Sequence, residues 1–180
     1  MSAERVASEL TVAILPLGQI ADRQIQLTAW ILEQEFGVKI VFLPAMKIPQ
    51  QYFNAERDRY QSRSVLNFLF SQLPADVQRI VGVVAGELED DKNESKLGVA
   101  FAHDRTAAYS VLSLPEWERL SAKEHIDRDI ISYIVVAHEF VHTLGLEHCQ
   151  NLDCLMHKTG YNPKMCAACR RWADRELKVK

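Results

Sequence analysis

The chain has 180 residues, 48% of them hydrophobic, with 21 basic against 24 acidic side chains and a formal net charge of −3. That length and apolar content suit one domain with a full core, and the near-neutral balance argues against a general electrostatic attraction to nucleic acid. No apolar run approaches a membrane span, and Met1 to Leu10 is too polar for a secretory leader, so a reducing, cytoplasmic setting is expected.

From the N-terminus, Leu10 to Leu17 is a β-rich run, Ala21 to Phe36 has helical periodicity closed by Gly37, and Val38 to Leu43 reads as a second strand. This is a βαβ pattern. Tyr60 to Leu73 suits another helix, with Val65, Leu66, Phe68, Leu69 and Leu73 as its apolar face, and Arg79 to Val84 is a third strand. The acidic stretch from Glu87 to Glu94 reads as a solvated loop without the regular ligand spacing of a cation site. Gly98 to Ala102 and Ala107 to Leu112 are short strands joined by His103-Asp104-Arg105-Thr106 in a hairpin-like connection. Such alternation predicts an α/β fold with a mainly parallel sheet and helices packed on it.

Ser121-Ala122-Lys123-Glu124 has the form of a capping box, opening a helix whose apolar stripe is Ile126, Ile130, Ile134, Ala137, Val141 and Leu144. Ile131 and Val135 add a neighbouring row that runs on to His138 and His142. The segment from Ile130 to Ala137 is therefore apolar nearly all round, which predicts a buried central helix. Imidazoles in such surroundings are costly to bury without a partner.

Residues 138–148 read His-Glu-Phe-Val-His-Thr-Leu-Gly-Leu-Glu-His, an HExxHxxGxxH string. On a helix, His138 and His142 project from one face about one turn apart, so both can reach one ion. Glu139 is displaced from them by about 100°, where its carboxylate can contact water beside a metal. Gly145 can end the helix in a positive-φ turn that swings His148 round as a third ligand. Three protein ligands leave one position open, as a catalytic zinc requires. The added Gly and His make chance occurrence roughly three orders of magnitude rarer than for HExxH alone.

All four cysteines follow at once: Cys149 and Cys154 form one pair and Cys166 and Cys169 another. Two such pairs suit a tetrahedral thiolate zinc site, and a reducing compartment disfavours the alternative of disulfides. The segment 155–180 is locally basic, with Lys158, Lys164, Arg170, Arg171, Arg175, Lys178 and Lys180 against Asp174 and Glu176, and reads as a solvated helix. His103 and His125 lack ligand-spaced partners and read as surface or loop residues. His157 and Tyr161 are near enough in sequence to reach the site, with exposure or packing the simpler role for each.

The segment 138–169 resembles the archaemetzincins, a family of the metzincin clan of zinc metallopeptidases. The clan contributes HExxHxxGxxH and a methionine turn, matched here by Cys154-Leu155-Met156-His157, and the family contributes the cysteine directly after the third histidine and the second, four-cysteine site. The resemblance implies that His138, His142 and His148 hold a catalytic zinc, that Glu139 is the general base, that Met156 is the Met-turn residue, and that Cys149, Cys154, Cys166 and Cys169 hold a structural zinc. It also implies a zincin fold in which an antiparallel edge strand, Gly98 to Ala102 or Ala107 to Leu112, pairs with extended peptide by β-augmentation. Nine residues separate Met156 from Cys166, fewer than the family pattern, which should trim the outer wall of the site.

Together these readings give one catalytic domain over 1–180, divided into a sheet-and-helix part at 1–137 and a zinc-motif, Met-turn and four-cysteine part at 138–180. It is expected to hydrolyse peptide bonds with two zinc ions per chain, to take a peptide or protein as substrate, and to act as a monomer without nucleic-acid or membrane partners. Two alternatives are a non-catalytic zinc protein presenting a peptide-binding cleft and a nucleic-acid-binding zinc module; the lack of a broad basic surface argues against the second.

Overall fold

Thr11–Leu17 (β1) alternates strictly: Val12 and Ile14 enter one core, Ala13, Leu15 and Leu17 the other, and all five are 0–1% exposed. A strand buried on both faces needs cover on both sides, and the rest of the fold supplies it. The computed structural model describes residues 10–102, 108–159 and 161–178. Asp22–Phe36 (α1) follows β1 and ends at Gly37, whose φ of 67° lets its N–H return to the Glu33 carbonyl. Lys39–Phe42 (β2), Arg79–Val84 (β5), Gly98–Ala102 (β8) and Ala108–Ser113 (β9) complete a five-stranded sheet in the order β2-β1-β5-β9-β8. Its first four strands are parallel, and β8 pairs antiparallel with β9 at the edge. The mixed, mostly parallel sheet therefore stands as expected, and the edge strand is the one at Gly98 to Ala102. The proposed connection at His103 to Thr106 lies outside the described residues.

Ser62–Ser71 (α2) covers one face of the sheet through Val65, Leu66 and Leu69. The other face carries α1, Leu114–Glu124 (α3) and Arg128–Thr143 (α4), with Trp117, Ile131, Ile134, Val135, Phe140 and Val141 in the shared core. Phe36 of α1 and Phe140 of α4 meet with ring centroids 4.6 Å apart. Ala167–Glu176 (α5) docks Cys169 and Ala173 into the same core, and Arg170 pairs with Glu35 of α1.

Four expectations need correction. Ser121 caps nothing: it lies inside α3, and its hydroxyl donates to the Ile126 carbonyl at 2.7 Å. His125, at φ 53°, ends α3, and Asp127 is the true N-cap of α4, accepting from the Asp129 N–H at 2.7 Å. Ile130 does not face the core; it is 46% exposed while Ile131 is fully buried, because α4 starts later and is rotated relative to the assumed stripe. The acidic stretch is not wholly loop either. Leu88–Glu89 (β6) is buried and joins Phe53–Asn54 (β3), Arg59–Gln61 (β4) and Ser95–Lys96 (β7) in a small second sheet, where Glu89 accepts from Asn54 and Gln61. Finally, the basic C-terminal helix is anchored through Arg170 and buried on one face, so it is only partly a solvated surface.

Candidate metal centres

The core packing of α4 fixes where its polar residues emerge. With Ala137, Phe140 and Val141 all fully buried, His138 and His142 leave the same side of the helix, their Nε2 atoms 3.0 Å apart. Each Nδ1 lies against a backbone carbonyl: 2.8 Å from Leu155 O for His138 and 2.7 Å from Leu146 O for His142. A carbonyl only accepts, so each Nδ1 carries the proton and donates, leaving the lone pair of the neutral ring on Nε2. Two lone pairs facing one another this closely repel unless a cation lies between them.

Gly145, at φ 94°, closes α4 with its N–H on the His142 carbonyl and turns the chain back. His148 arrives with its ring centroid 5.3 Å from that of His138 and 4.7 Å from that of His142, and the three ligand atoms lie within 4.8 Å of one another. Tetrahedral zinc with bonds of 2.0–2.1 Å separates ligand nitrogens by about 3.3 Å. The donor set fits that ion. Burial and the neighbouring imidazoles His142 and His148 bring the His138 ring down to about 4, and burial likewise lowers His142 and His148, so all three are neutral and ready to ligate near pH 7.

Glu139 is not wholly covered, but its carboxylate lies deep enough in protein to lose most of its hydration. That burial pushes its carboxyl up to about 8. A divalent cation at the imidazoles would act in the opposite direction and favour the ionised form.

The four thiols gather directly behind His148. Their sulfur atoms lie within 4.8 Å of one another, with Cys149 and Cys166 Sγ 4.0 Å apart, close to the roughly 3.8 Å edge set by Zn–S bonds of 2.3 Å. All four are free cysteines. Backbone N–H groups already point at the sulfurs, from Asn151 to Cys149 at 3.4 Å and from Cys166 to Cys154 at 3.3 Å, as thiolate acceptors need. Cys166 sits at the N-terminus of α5, where the Cys169 amide helps draw its thiol down to about 7, while burial pushes Cys154 up and Cys169 well up. Two buried thiols beside a low-lying one form a set that a cation would complete. Cys154, Leu155 and Met156 are all fully buried, and this turn supplies the carbonyl that orients His138 and the Met156 carbonyl that accepts from Cys149 N–H at 2.8 Å.

The sequence reading thus placed every candidate ligand in one of two clusters. It missed the carbonyls of Leu146 and Leu155, since backbone groups carry no residue signature. His125 is a helix terminator away from both clusters, His157 accepts from the Thr159 N–H at 3.3 Å, Tyr161 is exposed, and His103 lies outside the described residues. Among the described residues no helix is long and apolar enough to cross a membrane.

Residues 55–169 match the family model for Matrixin, a peptidase family, which spans more than half of the chain. The archaemetzincin of Methanocaldococcus jannaschii is 26% identical over 148 residues, covering 82% of this chain and 79% of that one. In structure, the chain is similar to the archaemetzincin of Methanopyrus kandleri, with a TM-score of 0.78 at 18% identity over 99% of this chain and 100% of that one. It is similar also to the archaemetzincin of Archaeoglobus fulgidus, crystallised with malonate, with a TM-score of 0.71 at 23% identity over 91% and 99%. Fold, motif and family match agree, and the chain belongs to the archaemetzincin family of metzincin-type zinc metallopeptidases.

Proposed function

We propose that the protein hydrolyses peptide bonds with His138, His142 and His148 as ligands of a catalytic zinc, Glu139 as general base, and a second, structural zinc on Cys149, Cys154, Cys166 and Cys169. The observation that carries this is the convergence of two unprotonated Nε2 atoms 3.0 Å apart on the helix that also bears Glu139. When bound, zinc supplies Lewis acidity to a carbonyl and to water. Glu139 accepts the proton of the attacking water and returns it to the departing amine, so no covalent intermediate on the protein is needed. Leu155 and Leu146 hold the imidazoles in the tautomer that presents Nε2. Met156, fully buried next to Leu155 in the same turn, is the Met-turn residue of this reading.

The substrate in this reading is an extended peptide or protein segment lying along β8, the free edge of the sheet beside α4. The residues 1–180 act as one catalytic unit, with the division near 137 separating scaffold from metal-binding segment.

The test is Glu139→Gln in the zinc-loaded protein, assayed against a diverse peptide library. The amide cannot accept a proton but leaves every proposed ligand in place, so kcat should fall by about 10² to 10⁴ while zinc content is kept. Wild-type turnover in this variant would remove Glu139 from the mechanism.

A further inference from the structure

β8 packs beside α4, and one of its residues has no side chain at the point of closest approach. Gly98 opens the strand opposite Leu112. An ideal Cβ built on Gly98 falls 2.6 Å from Glu139 Cγ, 3.0 Å from Cδ and 3.1 Å from Oε1. Its φ lies outside the left-handed region, so the backbone does not demand glycine there. Close approach does. The Ser113 N–H to Leu97 carbonyl bond, 2.9 Å, makes that neighbouring pair the hydrogen-bonded one. The antiparallel alternation then leaves the Gly98 N–H and C=O facing the open edge.

We infer that Gly98 is a positioning residue for the peptidase reaction proposed above: its missing side chain is the space in which the Glu139 carboxylate is held against the edge of the sheet. The inference rests on Glu139 acting as the base.

The two backbones cannot separate to admit a methyl group. α4 is held by Ala137, Phe140 and Val141, each fully buried, and β8 is held by β9 and by the Trp117 indole, whose N–H donates to the Leu97 carbonyl at 3.1 Å. The atom in conflict is Cγ, which moves only by rotation about χ1, so relieving the clash at Gly98→Ala swings the whole carboxylate away. The three atoms nearest that Cβ all belong to Glu139 and none to an imidazole.

Four proteins test this in the zinc-loaded state: Gly98→Ala, Glu139→Gln, Glu139→Ala and the double variant Gly98→Ala with Glu139→Ala. Gly98→Ala should lower kcat about a hundredfold, the scale of a one-ångström misplacement, with KM and zinc content near wild type. It should also lower Tm by about 5 °C when Glu139 is present, and by almost nothing in the Glu139→Ala background, where the crowded Cγ is gone. Equal Tm losses in both backgrounds would overturn the contact, and so would wild-type kcat in Gly98→Ala while Glu139→Gln is inactive. If Glu139→Gln instead turns over normally, the base assignment falls and the positioning role falls with it. The Tm comparison then still reports whether the contact exists. Should Gly98→Ala alone not fold, recovery of folding in the double variant supports the inference, and failure of both overturns it.

Discussion

Glu139 and the histidines around it are held in opposite protonation preferences. Burial raises the Glu139 carboxyl from an ordinary 4.5 to about 8 and lowers the His138 imidazole from 6.5 to about 4. Both prefer the neutral form, which is what removal from water does to either sign of charge. In metal-free protein this sets a linkage. A carboxyl raised in the folded state binds its proton more tightly there than when unfolded, so its stabilising contribution is full below 4.5 and is lost as pH rises through about 8. For His138 the folded value is depressed, so stability is lost as pH falls from 6.5 through about 4. Glu139→Gln should therefore raise the Tm of chelator-treated protein by several degrees at about pH 9 and change it little at about pH 4. Thermal melts across that range decide it: a variant no more stable than wild type at the alkaline end would mean that Glu139 is not desolvated. The identities of these residues were legible in the sequence because a helix turn places ligands at fixed offsets. The carbonyls that set their tautomers, and the glycine beneath Glu139, were not legible, because each is a contact between chain segments with no shared local pattern.

At the scale of elements, α4 decides most of the architecture, and its rotation can be tested with one adjacent pair. Ile131 is fully buried and Ile130 is 46% exposed, beside Leu27, Trp30, Tyr133 and Pro163 on the surface. Ile131→Ala should cost about 2–5 kcal/mol by removing core volume, while Ile130→Ala should cost less than about 1 kcal/mol. Urea unfolding of the two variants measures the difference, and a larger loss at Ile130 would reverse the helix orientation. The sequence pattern assigned Ile130 to the core because the helix is apolar nearly all round, and an all-round pattern fixes burial without fixing phase. Long elements were easier: Arg79–Val84 and Gly98–Ala102 were read with their observed bounds, and the α1 end was marked by Gly37. The second sheet escaped notice because its strands run two or three residues, too short for alternation to register. α3 was missed although Ser113-Leu114-Pro115-Glu116 carries a helix-start signal with proline in the first turn. The apparent capping box at Ser121 drew the boundary away from it.

Across the whole molecule the two metal clusters stand in different relations to the core, and this separates their consequences for stability. Cys154, Leu155, Met156, Cys169 and Ala173 are core residues, so the thiolate cluster joins the turn after His148 and α5 to the body of the protein. The histidine cluster instead rests on a helix already held by Ile131, Ile134, Phe140 and Val141, and His148 itself is exposed. A metal tying separate segments contributes its binding energy to folding, whereas one at the mouth of a finished helix contributes mainly chemistry. Cys166→Ser should consequently lower Tm by roughly 10 °C, a loss of a few kcal/mol at about 2–4 °C each. His148→Ala should move Tm little while removing one zinc and the activity. Limited chelator should strip the histidine site first, since an open three-ligand site with an exposed member exchanges faster than a closed thiolate one. Zinc analysis alongside thermal melts on partly chelated protein follows the order directly. Early loss of the thiolate metal, or unfolding by His148→Ala with Cys166→Ser intact, would show that the division into catalytic and structural centres is drawn the wrong way round.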